Sequence, residues 1–150
     1  MSYGSLFNGK TSSFSWPAWK KSWNFDIPSI DNQHVLLLKA INALEEFLGE
    51  NRIRLDINKL VRALNKYAKI HFSHEESLMK QVKFQQLEQH QNEHEEFIEK
   101  LIIFESQITQ DDVATGVYEG FMDYLNEWFV YHLLGSDRKY VDLFKEHQIQ

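Results

Sequence analysis

Histidines and carboxylates recur in this chain at spacings that suit metal binding. His71 and Glu75 are four residues apart, and so are His90 and His94. On a helix such pairs lie one turn apart on the same face, so each pair can direct its side chains at one ion. Imidazole together with carboxylate suits iron, zinc, copper or manganese. A single pair of this kind also fits a polar helix face that happens to carry a histidine. The other helices are needed to distinguish metal binding from this alternative.

The elements that position these residues are predicted to be four helices. Apolar residues recur at alternating intervals of three and four, which is typical of the inner face of a bundle helix. Five histidines occupy positions within these apolar stripes. The stripes are Ile30, His34, Leu37, Ile41, Leu44 and Leu48; Leu60, Leu64, Tyr67, His71, Leu78 and Val82; Leu87, His90, His94, Phe97, Leu101, Phe104 and Ile108; and Phe121, Leu125, Trp128 and His132.

Capping residues and short connections set the predicted architecture. Helices of this length joined by a few residues form antiparallel neighbours. We therefore predict an all-α fold, an up-down-up-down antiparallel four-helix bundle over residues 29–150, with an irregular N-terminal arm over residues 1–28 packed on it as part of one domain. The predicted N-caps are Asp31, Asp56 and Asp111 or Asp112, the first helix ends at Gly49 or Asn51, the second ends within 81–85, and the arm is anchored by Trp16, Trp19 and Trp23.

Composition excludes several classes of function. The chain has no cysteine, which excludes disulfides, thiolate metal sites and cysteine nucleophiles. Its net charge of -6 lacks the basic surface that nucleic acid requires. No apolar run approaches the roughly 20 residues of a membrane span. We expect a cytoplasmic protein without nucleic-acid or membrane partners, and a monomer rather than an oligomer.

The number of buried histidines favours a metal centre with two ions. Each buried polar ring without a partner costs on the order of 1 to 3 kcal/mol. Five such rings could cancel a total stability of about 5 to 15 kcal/mol. The facing stripes offer few polar partners besides Glu75 and Asp137. Five nitrogens and two carboxylates exceed one ion's usual shell, whereas two ions bridged by the carboxylates accommodate them. The sequence therefore predicts a dinuclear site in the bundle core.

His132 and Asp137 can both join this site only if their helix is distorted. They are five residues apart, which places them about 140° apart around a regular helix. A π-type turn or a break would bring both inward. Gly135 lies between them, where we expect the distortion to be easiest.

In chain order, these segments resemble the hemerythrin family, and specifically its single-domain bacterial members. The resemblance covers about residues 16 to 144 and fills all seven ligand positions with the expected residue types. The segments are Ile30-Asp31-Asn32-Gln33-His34, His71-Phe72-Ser73-His74-Glu75-Glu76, His90 with His94, and His132 with Asp137 and Tyr140. Gly135-Ser136 is a departure that could alter the approach to Asp137.

The resemblance implies a non-heme di-iron centre that binds dioxygen reversibly. His90, His94 and His132 would bind one iron, and His34 and His71 the other. Glu75 and Asp137, with a solvent-derived oxo or hydroxo group, would bridge them. The second iron would keep one open position for dioxygen. Leu37, Phe72, Trp128 and Leu133 would line the oxygen pocket, although ordinary core packing explains each of them singly.

Other assignments follow from the remaining polar residues. We expect His74 at the surface or beside the ligands, and His147 in solvent. Solvated helix faces are predicted for Glu76, Glu93, Glu95 and Glu96. The favoured function is oxygen carriage, storage or delivery without enzymatic turnover. The alternatives are an oxygen or redox sensor that acts through an unidentified protein partner, and a di-iron enzyme that reduces peroxide or nitric oxide.

Overall fold

The bundle is formed by four long helices. The computed structural model describes residues 18–50, 54–108 and 115–150. Helices α1, α2, α3 and α4 comprise Pro28–Glu50, Arg54–Gln81, Leu87–Ile108 and Thr115–Tyr131. Helix α1 packs against α2 and α4, and α3 packs against the same two helices, which closes the bundle. The predicted all-α four-helix fold is confirmed, and the described ranges contain no strand.

The inner face of each helix carries the predicted apolar stripe. In α3, the buried side chains recur at alternating intervals of four and three from His90 to Ile108. Ile30, Leu37, Ile41 and Leu44 are likewise buried in α1. Because the histidines share this face with leucine and phenylalanine, folding the apolar core carries them into the interior.

Asp31 supports the start of α1 from inside the helix and is not its N-cap. The helix begins at Pro28, a residue well suited to a first turn because its backbone has no N–H to leave unsatisfied. The carboxylate of Asp31 accepts hydrogen bonds from the backbone N–H groups of Phe25, at 2.8 Å, and Ile27, at 3.2 Å. The prediction of Asp31 as the N-cap was therefore wrong. Asp31 instead fixes the segment that leads into α1.

The described end of α1 falls between Gly49 and Asn51, as predicted, whereas α2 begins before its predicted cap. Helix α1 continues to Glu50, and α2 begins at Arg54, so Asp56 is within α2 and does not precede it. The connection between α2 and α3 follows Gln81 as predicted. Asn51, the predicted caps Asp111 and Asp112, and Trp16 lie outside the described residues.

The segment before α1 lies against the end of the bundle that holds the histidines. Trp23 is buried, and its ring meets Phe129 edge-on at 6.0 Å between centroids. Phe25 meets the ring of His34 in the same way at 5.6 Å. Arg138 donates a hydrogen bond to the carbonyl of Ser22 at 3.1 Å. These contacts place two apolar rings over the polar interior.

After α4, the helical turn first becomes wider and then tighter than that of an α-helix. A π-helical turn covers His132–Ser136, a 3₁₀ turn covers Asp137–Tyr140, and the short helix α5 covers Val141–Glu146. The π turn lies where the spacing of His132 and Asp137 required a distortion. None of the described helices combines the length and apolarity needed to cross a membrane.

Candidate metal centre

Seven side chains from α1, α2, α3 and the two turns after α4 meet in the bundle core. Each is at most 5% exposed to solvent. They are the seven residues that the sequence pattern singled out, namely His34, His71, Glu75, His90, His94, His132 and Asp137. The fold thus brings together residues that are more than a hundred positions apart in the chain.

Five of these residues form the first group of possible ligands. One ligand atom from each lies within 4.8 Å of all the others in the group. Nε2 of His90 and Nε2 of His132 are each 3.0 Å from Oδ1 of Asp137. Nε2 of His94 is 3.2 Å from Oε2 of Glu75. Three imidazoles and two carboxylates therefore surround one point.

The second group uses two more imidazoles and the same two carboxylates. His34, His71, Glu75 and Asp137 offer ligand atoms within 4.8 Å of one another. Nε2 of His34 is 3.1 Å from Oδ2 of Asp137, and Nε2 of His71 is 3.6 Å from Oε2 of Glu75. The two groups share both carboxylates, which is the arrangement expected of bridging ligands.

The two oxygen atoms of Asp137 face different ligand groups, whereas those of Glu75 are not divided in this way. Its Oδ1 atom faces the first group, and its Oδ2 atom faces His34 of the second. Oε2 of Glu75 lies near imidazoles of both groups, and its Oε1 atom accepts a hydrogen bond from the hydroxyl of Tyr140. Tyr140 is fully buried, so a residue from the turn after α4 helps to hold Glu75 in place.

The interior holds two ionised carboxylates. Burial alone would raise the pKa of Glu75 and Asp137, yet the surrounding histidines hold both pKa values well below the ordinary range. Burial also opposes charge on His34 and His90, but the two carboxylates raise their pKa to about 9 and about 10. Burial lowers the pKa of His71 to about 3. The two buried carboxylates therefore attract cations, either the protons on His34 and His90 or metal ions.

Three of the imidazoles are oriented through their outer nitrogens. The Nδ1 atoms of His94 and His132 lie 2.8 Å from carboxylate oxygens of Glu76 and Glu93. The Nδ1 atom of His71 lies 2.7 Å from the amide oxygen of Gln33. Because these partners accept, each Nδ1 carries the proton and each Nε2 lone pair points inward. Metal-binding histidines are usually held in this way.

These contacts correct the assignment of Glu76 and Glu93 to solvated faces. Both carboxylates are partly buried, and the hydrogen bonds to the histidines are the main cause of their lowered pKa values, about 2 for Glu93. Ser136 of the π turn also donates to Glu93, at 2.5 Å. Sequence spacing gave no indication of these partners, because each contact joins two different helices or a helix and a turn. Only the general need of a metal-bound imidazole for an acceptor pointed to them.

The inward-facing atoms lack the contacts that hydrogen bonding would provide. His94 Nε2 and His132 Nε2 are 3.0 Å apart, and with the Nδ1 protons held by Glu76 and Glu93 both Nε2 atoms can turn a lone pair toward a cation. His34 Nε2, His90 Nε2 and Asp137 Oδ1 have no partner with hydrogen-bond geometry among the described residues, despite their short separations. Two ligand atoms bound at about 2.1 Å to one metal, at right angles to each other, lie about 3.0 Å apart. The residues therefore fit a metal.

An apolar cavity adjoins the second group. Its volume is about 10 Å³, roughly the smallest space that holds one water molecule. All four residues predicted for the oxygen pocket line it, together with Phe129, which the sequence reasoning missed although it precedes Leu133 by one helical turn. The lining residues are Leu37, Phe72, Trp128, Phe129, Leu133, His34, His71, His132 and Asp137.

Two of the cavity rings stack on imidazoles of the first group. Phe72 stacks on His94 at 3.8 Å between centroids, and Trp128 stacks on His132 at 4.3 Å. Stacking restricts rotation of both imidazoles. Outside the cluster, His74 is half-buried and His147 is exposed, so the predicted surroundings of His147 are confirmed.

A helical bundle that encloses five imidazoles around two shared carboxylates defines a non-heme metal-binding protein. The family model described as hemerythrin HHE cation binding domain matches residues 26–144. The chain belongs to the hemerythrin family, as the resemblance predicted.

Relatives with curated names come from bacteria and from animals. A bacteriohemerythrin of Clostridium acetobutylicum is 31% identical over 128 residues, which cover 83% of this chain and 98% of that protein. The hemerythrin subunit alpha of Lingula anatina is 27% identical, with 82% of this chain and 91% of that protein covered. A bacteriohemerythrin of Pseudomonas paraeruginosa is 27% identical, with 83% and 78% covered.

Proposed function

We propose that this chain binds dioxygen reversibly at a non-heme di-iron centre. The observation that carries the proposal is the pair of ligand groups sharing Glu75 and Asp137, with a largely apolar cavity that both imidazoles of the second group and His132 of the first group line. In the proposed assignment, His90, His94 and His132 hold one iron and His34 and His71 hold the other. Bound ferrous iron would supply the electrons that hold dioxygen.

The unequal groups support binding at one position. Counting one atom per residue, the first group offers five ligands and the second offers four. A solvent-derived bridge would complete six ligands around the first iron and leave one position open at the second. The cavity lies against His34 and His71, the imidazoles of that second group, so an uncharged diatomic ligand could reach the open position.

The cavity walls support binding without further chemistry. Leu37, Phe72, Phe129 and Leu133 offer no proton donor, and all four are at most 5% exposed. Apolar walls disfavour entry of ions and control the access of solvent to a metal. A bound oxygen ligand would therefore be shielded from the protons and water that displace it. The names of the relatives, bacteriohemerythrin and hemerythrin subunit alpha, agree with this function.

Iron analysis and optical spectra test the proposal. We expect about two iron ions per chain, and an absorption band that appears when oxygen is added to the reduced protein and disappears under argon. A preparation that takes up no iron, or a band that argon does not remove, contradicts reversible binding. Turnover of peroxide or nitric oxide faster than spontaneous oxidation would instead favour the enzymatic alternative.

A further inference from the structure

The two ligand groups differ in the charge of the residues that hold their outer nitrogens. In the first group, the anions Glu76 and Glu93 accept from His94 and His132 at 2.8 Å. In the second group, the neutral amide of Gln33 accepts from His71 at 2.7 Å. The bond lengths are alike, so the difference between the groups lies in charge and not in distance.

His34 increases this difference. Its Nδ1 atom is buried and has no hydrogen-bond partner within the described part of the chain. The first group thus has two imidazoles that donate to carboxylates, whereas the second has none. Gln33 and His34 are consecutive residues of α1, so both features of the second group arise from one turn of one helix.

A carboxylate acceptor makes an imidazole a stronger metal ligand. As the Nδ1 proton is drawn toward the anion, electron density on Nε2 increases and the bond to a cation strengthens. Loss of such a partner typically lowers metal affinity about 10- to 100-fold. A neutral amide fixes the orientation of the ring but supplies little of this polarisation.

We propose that Gln33 keeps the position at His34 and His71 the weaker of the two metal positions, so that it fills second and releases its metal first. This inference rests on the proposed dinuclear centre. The smaller number of imidazoles in the second group acts in the same direction. Gln33 adds a separate contribution, which a change of charge at residue 33 isolates.

The decisive variant is Gln33→Glu, which keeps the acceptor and the side-chain length and adds the missing charge. Titration of metal-free protein with Zn²⁺, against a competing chelator, should show two binding steps in the unaltered chain. We expect Gln33→Glu to tighten the second step about 10-fold and to leave the first unchanged. His71→Ala should remove the second step, which assigns that step to this position.

Matched variants separate local polarisation from a general increase in charge. Asn32→Asp adds the same charge one residue earlier at an exposed position, and we expect both steps to keep their affinities. Glu76→Gln and Glu93→Gln retain an acceptor and remove the anion from the first group. We expect each to weaken the first step about 10- to 100-fold.

The outcomes separate this inference from the proposed function. Two bound ions, with a second step that Gln33→Glu leaves unchanged, overturn the role of Gln33 and leave the dinuclear centre intact. A chain that binds no metal, or a single ion, overturns the dinuclear centre itself. If Gln33→Glu fails to fold, which circular dichroism detects, unchanged first-step affinities in Glu76→Gln and Glu93→Gln overturn the polarisation argument.

Discussion

His132 and Asp137 meet in space although a regular helix would turn them apart. Nε2 of His132 lies 3.0 Å from Oδ1 of Asp137, and the π turn His132–Ser136 lies between them. One extra residue in that turn rotates Asp137 into the core, where it faces imidazoles from α1 and α3. The cluster of candidate ligands therefore depends on a local departure from α-helical geometry.

Gly135 is not required for this turn. No glycine in the described ranges has a positive φ, and a Cβ added to Gly135 would meet nothing within 4 Å. We therefore expect Gly135→Ala to bind as much iron as the unaltered chain and to be stabilised by about 0.4–1 kcal/mol, through the less flexible unfolded state. Metal analysis and thermal unfolding check this.

Ser136→Ala is the contrasting substitution in the same turn. It removes the hydrogen bond to Glu93, whose net contribution to stability is about 1 kcal/mol. We expect this variant to be less stable than Gly135→Ala. If Gly135→Ala lost iron while Ser136→Ala did not, the turn would depend on glycine after all.

Glu75 should be essential to assembly of the centre, because both ligand groups include it. Glu75→Gln keeps the shape of the side chain and removes the charge that attracts the ions. We expect it to lose most bound iron, whereas Glu96→Gln, on the exposed face of α3, should keep it. Iron content per chain is the measurement, and equal content in the two proteins would refute the bridging assignment.

Glu76 is an informative intermediate case rather than a neutral control. Glu76 belongs to neither ligand group, but its carboxylate orients His94 by accepting a hydrogen bond from Nδ1. Glu76→Ala should lower iron affinity about 10- to 100-fold, while still allowing assembly at high iron concentration. Glu75→Gln should not recover under the same conditions.

Helical periodicity could predict the five clustered histidines and Glu75, whereas Asp137 could join them only if its helix was distorted. No spacing could predict the supporting contacts. The pairs His71 with Glu75 and His90 with His94 are local, because one helical turn fixes their relative direction. Contacts such as Glu93 with His132 depend on how α3 is rotated against the π turn after α4, which no local pattern encodes. The start of α1 was misplaced for a similar reason, since Asp31 bonds backwards to the incoming chain.

Removing iron should lower stability. Without iron, only the protonated His34 and His90 would balance the two buried carboxylates, so the folded state would lose favourable electrostatic energy. A metal present at about 100 times its dissociation constant contributes about 2.7 kcal/mol. We therefore expect a lower thermal midpoint after chelation and recovery after iron is restored.

Two histidine variants test whether that loss comes from the cluster. His34 lies within the cluster, and His74 is half-buried outside it. The difference in thermal midpoint between metal-free and iron-loaded protein should shrink in His34→Ala and persist in His74→Ala. Thermal midpoints with and without chelator, measured for both variants, decide the matter; equal differences would contradict the metal assignment.

The apolar cavity should control how long oxygen stays bound. Leu133 lines the cavity and is 1% exposed, and Leu101 is 0% exposed in α3, away from the cavity lining. Each leucine-to-alanine change should cost about 2–5 kcal/mol of stability, because it leaves unfilled space in the core. Only Leu133→Ala enlarges the cavity beside His34 and His71, where it would admit water and protons. We therefore expect faster spontaneous oxidation of the oxygen-bound form in Leu133→Ala than in Leu101→Ala. The decay of the absorption band of the oxygen-bound form measures this rate. Equal decay in two equally destabilised variants would show that the cavity wall does not protect bound oxygen.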